Sequence, residues 1–344
     1  MSDLGAVRRR LGLTGRVRGA GAERLEEWLS FLDTVPAPVE PVVLPTPADL
    51  PDVAHRLALG SDDAAEMAAA MPAPATDPEL WWLLERCVSW VRLHLDTHHD
   101  PEPPWADLPP ELGPAGRLLH AHVVLAALPD TLALHRVRGV EPAVSWATLA
   151  DVGSKMAMYR RAHGTAGLDK QDWLTLHLRG GLFALGRLQL ALTELTPTLR
   201  LPPTDHGVGL GLGVHVPETG PLSAAAVDES LARARDFFAD HVPTPVGDLA
   251  VCTSWLLDPT LADHLPATSN IVAFQRRFTL TGDVRPGDAD ILEFVTGRAD
   301  RRVADIPRTT TLERAVVDHL RAGGHWTVRT GWLRLPGGRR PTRA

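Results

Sequence analysis

The sequence predicts an α+β protein: a helical N-terminal domain over residues 1–145, then a mixed α/β domain over residues 146–344. Three observations carry that expectation. Apolar residues recur at three- and four-residue spacing through the first part of the chain, period-two alternation first appears after Gly180, and 344 residues are more than one compact core ordinarily holds. Hydrophobic residues make up 44% and charged residues 22%, a globular balance that excludes a disordered or collagen-like chain. The 29 glycines and 30 prolines argue against an uninterrupted helical array.

Residues 22–35 set Leu25, Trp28, Leu29 and Leu32 on one helix face, and the prolines from Pro36 to Pro47 then break the pattern into extended chain. A stronger amphipathic run covers 77–95, with Leu80, Leu84, Cys87, Val88, Val91 and Leu95 on one side and Asp77-Pro78 in the cap and first-turn positions. After a second break between Pro101 and Pro110, residues 114–136 and 146–163 again read as helices. Beyond Gly180, Leu188, Leu190 and Leu192 alternate with Arg187, Gln189 and Ala191, so a sheet is expected to begin near residue 181. Leu210 to Val216 forms the next strand. Pro217 to Pro221 then turns the chain into a helix capped by Ser223, with Ala224, Val227, Leu231, Ala234 and Phe238 on its buried face. A buried strand follows at Leu249 to Ser254, then a helix carrying Ile271, Phe274 and Phe278, then strands near 278–282 and 289–296. The last helix opens with the capping box Thr310-Thr311-Leu312-Glu313 and stops at Gly323-Gly324, before a strand with Trp326 and Val328 on one face and a basic tail from Gly337.

Charge and cysteine content narrow the partners. With 42 acidic against 35 basic residues the net charge is −7, which argues against nucleic acid, because neutralising phosphates needs a net basic face. Cys87 and Cys252 lie far apart on apolar segments and make no disulfide framework, so a reducing cytoplasm is expected. The N-terminus, with Arg8-Arg9-Arg10, lacks the apolar run of a signal peptide, and the longest apolar stretch, Val123 to Leu128, stops at Pro129. No membrane partner is expected.

Several phrases in the second half resemble a known family. His177-Leu178-Arg179-Gly180, Leu185-Gly186-Arg187-Leu188-Gln189, Val214-His215-Val216-Pro217, Ser254-Trp255-Leu256-Leu257, and Ser269-Asn270-Ile271 before Phe274-Gln275 are together similar to the bacterial family with a GNAT-like C-terminal domain. In that family a helical acyltransferase-type domain precedes it, which residues 1–145 resemble. The resemblance implies a GNAT-like mixed α/β domain, acyl-CoA as co-substrate, a small-molecule or peptide acceptor with an amine or hydroxyl, and no metal. It also implies a diphosphate loop between the fourth strand and the next helix. Here that loop, Pro217-Glu218-Thr219-Gly220-Pro221-Leu222-Ser223, has one glycine, two prolines without N–H groups and an acid. The rival expectation is a non-catalytic member that keeps the fold as a binding or scaffold protein.

Placed on that frame, His215 and Ser269 are the catalytic candidates, as base and acid. Val216, Thr219, Gly220, Ser223, Asn270 and Phe274 are the candidates for cofactor binding, and Ser254 and Trp255 for the acyl or acceptor pocket. Each has a structural alternative: His215 bonded to a backbone carbonyl, Trp255 and Phe274 packed in a core, Ser269 and Asn270 serving as helix caps. The chain's only tyrosine, Tyr159, lies in an earlier helix and excludes a tyrosine acid at the usual place. His94, His98 and His99 with Asp96 and Asp100 invite a metal reading, but no HExxH glutamate accompanies them, and a solvated helix end is the alternative. Gly207, Gly209, Gly211 and Gly213 enter a strand, which separates them from a dinucleotide fingerprint.

Overall fold

The computed structural model describes residues 4–13, 19–98, 102–196, 199, 201–202 and 209–337; Gly207, His99 and Asp100 lie outside them. The chain forms two compact units, Met1–Leu182 and Phe183–Ala344. The units therefore divide later than the 145/146 boundary read from the sequence. The residues after 145 continue the helical periodicity of the first unit and bury their apolar faces in its core.

The first unit is built from α1 (Leu4–Arg10), α2 (Ala20–Thr34), α3 (Leu50–Arg56), α4 (Ser61–Ala69), α5 (Pro78–Leu93), α6 (Gly113–Arg117), α7 (Leu119–Val137), α8 (Pro142–Leu149), α9 (Asp151–His163) and α10 (Gln171–Leu178). The stripes on α2 and α5 are the buried ones: Leu25, Trp28, Leu29 and Leu32 meet Leu83, Leu84, Cys87 and Val88 in one core. The proline-rich stretch after α2 is held to α5 by side chains. Ser89 Oγ donates to the Pro36 carbonyl at 2.8 Å, and Arg92 Nη1 donates to that of Glu40 at 2.9 Å. The run Pro110–Val137 is apolar and long enough to cross a bilayer, but 72% of its most apolar window is buried, as expected of a core helix. Pro129 sits inside α7. Nearby, Thr131 Oγ1 donates to the carbonyls of Ala127 and Leu178, at 3.2 and 2.8 Å, and so ties α7 to α10.

A buried polar group lies within this helical core. Trp173 Nε1 donates to Asp151 Oδ2 at 2.9 Å, His177 Nε2 lies 3.3 Å from the same oxygen, and Lys155 Nζ is 3.6 Å from Oδ1. Burial alone would raise the Asp151 pKa. The neighbouring imidazole, the lysine charge and the indole N–H outweigh it and hold the carboxyl well below the usual carboxylate range.

The second unit contains β1 (Leu182–Leu185), β2 (Leu188–Glu194), β3 (Leu210–His215), α11 (Ala224–His241), β4 (Leu249–Ser254), α12 (Leu261–His264), α13 (Asn270–Gln275), β5 (Thr279–Pro286), α14 (Asp288–Thr296), α15 (Thr311–Arg321) and β6 (Thr327–Arg334). The sheet begins at Leu182, beside the position that the alternation indicates, and its order is β1-β2-β3-β4-β6-β5. β3 and β4 run parallel because α11 crosses between them, whereas β2 pairs with β3, and β4 with β6, antiparallel.

One element differs in kind from expectation. Residues 289–296, read as a strand, form α14, whose Ile291 and Leu292 are buried. A short apolar run does not separate strand from buried helix by periodicity alone. Asp288 and Asp290 in the first turn and Gly297 at φ 81° as the left-handed stop are what make this one helical.

Candidate functional site

The site grows from the register of the two parallel strands. β3 and β4 pair only at Leu212 with Ala250 and Gly213 with Val251. Each strand then continues pairing on its outer side: β3 with β2 as far as His215 opposite Gln189, and β4 with β6 as far as Ser254 opposite Arg329. Two strands that stay in the sheet but leave one another open a gap between their ends.

Beside that gap lies a cavity of about 490 Å³, within the range of small-molecule sites. Its walls come from the ends of both strands, the 217–222 turn, the start of α13, and residues of α14 and α15. Val216, Leu222, Trp255, Leu256, Leu265, Pro266, Ile271, Phe294 and Leu312 make it mainly apolar, while Arg187, Glu218, Thr268, Ser269, Asn270 and Thr311 supply the polar groups.

Trp255 is held by a chain of hydrogen bonds that starts at Asp258. The buried Asp258 accepts from the Thr327 N–H and hydroxyl through Oδ2, at 2.7 and 2.9 Å, and from Thr260 N through Oδ1 at 2.9 Å. Gln275 Nε2 donates to the carbonyls of Leu256 and Asp258, and the Trp255 ring packs against Phe294 with centroids 5.5 Å apart. The end of α13 is tied to the first turns of α11. Arg277, just past α13, donates to Asp228 Oδ1 of α11 at 2.8 Å and to the Ala224 carbonyl at 3.1 Å.

Of the residues singled out in the sequence, Val216, Gly220, Trp255, Ser269 and Asn270 come together on this cavity. Ser269 is also the cap of α13, accepting from Ile271 N at 3.3 Å, so its two readings coexist. Ser223 caps α11 by accepting from Ala226 N at 3.4 Å, and it does not line the cavity. Ser223→Ala is expected to cost about 1 kcal/mol of stability as a lost cap, read as a lower midpoint in urea unfolding with an unchanged slope.

The remaining candidates are placed elsewhere. Phe274 is fully buried against Phe278, with ring centroids 5.0 Å apart, and makes no wall. Thr219 is exposed on the turn. Ser254 folds its hydroxyl back to accept from Leu256 N at 3.1 Å, starting the turn that carries Trp255. His215 closes β3 and Val216 follows it just past the strand end, and successive residues of extended chain point to opposite sides. Val216 therefore reaches the cavity and packs on the Trp255 cluster, whereas the half-buried His215 lies over Gly213, its Nε2 3.1 Å from where a Cβ on that glycine would stand. His215 thus flanks the gap from the sheet face opposite the cavity. Cys252, buried on β4, has its thiol pushed up to about 12 by desolvation, which leaves it unreactive.

Of the histidine cluster after α5, His99 and Asp100 lie outside the described residues, and His94 is held by packing. His94 stacks on Trp90 with centroids 4.4 Å apart, and its Nδ1 lies 2.7 Å from the Trp90 carbonyl. His120 and His122 are buried, each with Nε2 donating to a backbone carbonyl, of Ala106 and Met67 respectively. Burial lowers both pKa values, that of His122 to about 4. Among the described residues no group of three His, Cys, Asp or Glu side chains is arranged to hold a metal ion.

Arg187, Leu265, Pro266, Phe294, Thr311 and Leu312 line the cavity without having been singled out in the sequence. Phe294 was hidden by the strand reading of α14. Arg187 was quoted within a family phrase, and Thr311 and Leu312 within a capping box, but none of those motifs points to a cavity; the residues converge on it from a hairpin turn, a loop and a distant helix.

Two family models match the chain: an N-acyltransferase N-terminal domain over residues 48–180 and a GNAT-like C-terminal domain over residues 182–333. Among solved structures, an acyltransferase in complex with decanoyl-CoA and teicoplanin is 40% identical, the match covering 97% of this chain and 100% of that one with a TM-score of 0.87. An acyltransferase mutant in complex with octanoyl-CoA, and an acyltransferase in complex with CoA and 10C-teicoplanin, match with the same identity, coverage and TM-score. No curated protein matches the chain. With both domain models in order along the chain and 40% identity over nearly its whole length, the chain belongs to the acyltransferase family that joins an N-acyltransferase N-terminal domain to a GNAT-like C-terminal domain.

Proposed function

We propose that the chain transfers an acyl group from acyl-CoA to the amine of a small-molecule acceptor. The observation that carries this reading is the parting of β3 from β4 beside a mainly apolar cavity. A gap between strand ends suits an extended pantetheine arm, which can pair with a strand edge, and the apolar walls suit an acyl chain. Solved relatives at 40% identity that hold octanoyl-CoA or decanoyl-CoA support a medium-length chain, and those that hold teicoplanin support a glycopeptide-like acceptor.

In this reading the thioester lies at the gap. His215, on the face away from the cavity, takes the proton from the acceptor nitrogen as that nitrogen attacks the thioester carbonyl. The C–N bond forms, the C–S bond breaks, and the departing CoA sulfur receives a proton through the Ser269 hydroxyl, which takes one from water as it gives one up, while His215 returns the acceptor's proton to solvent. Asn270 and Val216 border the arm, and Trp255 with Phe294 walls the acyl end.

Thermal-shift titration with acetyl-, octanoyl- and decanoyl-CoA tests the proposal. A ligand at a hundredfold excess over its Kd is expected to stabilise the fold by about 2.7 kcal/mol. The longer chains are expected to bind tighter, since each methylene buried on apolar walls contributes about 0.8 kcal/mol. No shift at saturating concentrations of all three overturns the reading in favour of a non-catalytic scaffold, whose specific support is the proline-containing 217–222 turn.

A further inference from the structure

A CoA thioester brings phosphate groups to any site that binds it, and the turn beside this cavity is poorly made to receive them. Pro217 and Pro221 have no N–H to offer, and Glu218 is an acid. Among the described residues lining the cavity, the one cation is Arg187.

Its setting is unusual for a surface arginine. Arg187 follows Gly186, which adopts φ 81° in the two-residue turn between β1 and β2. That turn is fastened to α11, because Ser230 Oγ accepts from the backbone N–H groups of Arg187 and Leu188 at 2.9 and 3.3 Å. From this anchor the guanidinium runs along the 217–222 turn, Nε donating to the Pro221 carbonyl at 3.1 Å and Nη2 to that of Gly220 at 3.2 Å. The third nitrogen, Nη1, is shielded from solvent and makes no hydrogen bond. A half-buried guanidinium with an unused N–H is costly to keep without an acceptor, and a phosphate oxygen is the acceptor its geometry favours.

We propose that Arg187 is the phosphate anchor of this site: it braces the 217–222 turn through two nitrogens and offers the third to a phosphate of the CoA moiety. The proposal rests on the acyl-CoA reading above. It makes phosphate recognition a side-chain charge rather than a row of backbone amides. Affinity for a phosphate-bearing thioester then falls with salt and weakens when the charge is removed, while affinity for the phosphate-free arm does not.

Calorimetric titration of the full chain with decanoyl-CoA and with decanoyl-pantetheine, which carries no phosphate, separates the possibilities. Arg187→Gln keeps a donor at the position of Nε for the Pro221 carbonyl while removing the charge. It is expected to weaken decanoyl-CoA by about 10- to 100-fold and to leave decanoyl-pantetheine within about twofold. Arg187→Lys, which restores the charge without the fork, is expected to recover part of the loss. Equal affinities of both variants and the unaltered chain for decanoyl-CoA overturn the proposal, and so does an equal loss for both ligands, which assigns Arg187 a purely structural role. Should the variants fail to fold, the unaltered chain decides alone: binding decanoyl-pantetheine as tightly as decanoyl-CoA, with no salt dependence, overturns the anchor. Binding of neither ligand by the unaltered chain defeats the acyl-CoA reading itself.

Discussion

His215→Ala is expected to lower turnover of an amine acceptor with decanoyl-CoA by about 10²- to 10⁴-fold, the span that general-base catalysis ordinarily supplies. The fold is expected to survive, because His215 is half-buried at the end of β3 and belongs to neither the Trp255 cluster nor the neighbouring Leu249–Val251 one. Decanoyl-CoA affinity is expected to stay within a few-fold, because His215 sits on the face away from the cavity and is not among its lining residues. A base acting on the acceptor thus predicts a loss in kcat with binding retained, measured by steady-state turnover beside calorimetry. Turnover within threefold of the unaltered enzyme, at an unchanged melting temperature, removes His215 from the mechanism. Ser269→Ala is the informative companion: it sits on the cavity and caps α13, so a drop in kcat larger than its cap-loss destabilisation can explain would support the acid role.

The second large effect concerns stability. Asp151→Ala is expected to destabilise the chain by about 3–5 kcal/mol, the usual cost of removing one partner of a buried ionic group. The side chains of Asp151 and His177 are each only 1% exposed, so alanine leaves an imidazole, an indole N–H and the Lys155 ammonium facing a void that water does not readily reach. Urea unfolding followed by far-UV circular dichroism measures it, and a loss below 1 kcal/mol contradicts it. Acid should act through the same group. Its folded pKa is depressed below the value of 3.8 that it has when free, so the unfolded state binds the proton more readily. The contribution is fully present above that ordinary value and is lost as pH falls toward the lower folded pKa. Asp151→Asn is therefore expected to flatten the acid limb of the stability profile while leaving the neutral-to-alkaline side parallel to that of the unaltered chain.

What could be read from the sequence follows the range over which its signals act. The stripe Leu25, Trp28, Leu29 and Leu32, the cap at Ser223, the capping box at Thr310 and Glu313, and the alternation through Leu188, Leu190 and Leu192 are local, spanning a turn of helix or a few strand residues. Each appears in the structure where the pattern put it, because local hydrogen bonding and the burial of one face suffice to specify it. The candidates Val216, Trp255, Ser269 and Asn270 came from the family resemblance, which places the site at the ends of well-marked elements, and a strand's end is where a parallel sheet exposes its residues.

The misreadings come from choices that local pattern leaves open. Residues 289–296 offered a short apolar run that suits either state; the first-turn acids and the Gly297 stop were the helix signals passed over, and Ile291 and Leu292 of that helix pack with Val316, Val317 and Trp326. Phe274 shares a face with Ile271 in sequence, yet it turned into the core while Ile271 reached the cavity, a division that depends on where α13 rests.

By itself the sequence determined a helical first part, a sheet beginning beside Gly181, a capped α11 and the neighbourhood of the strand ends, since these are set by interactions between residues close along the chain. Only the tertiary structure decided that β3 and β4 part after Gly213 and Val251, that His215 and Val216 flank the opening from opposite faces, and that Arg187 reaches the 217–222 turn from another hairpin. Those facts depend on contacts between segments tens of residues apart, whose register and direction are set by how whole elements pack and leave no periodic trace in any one of them.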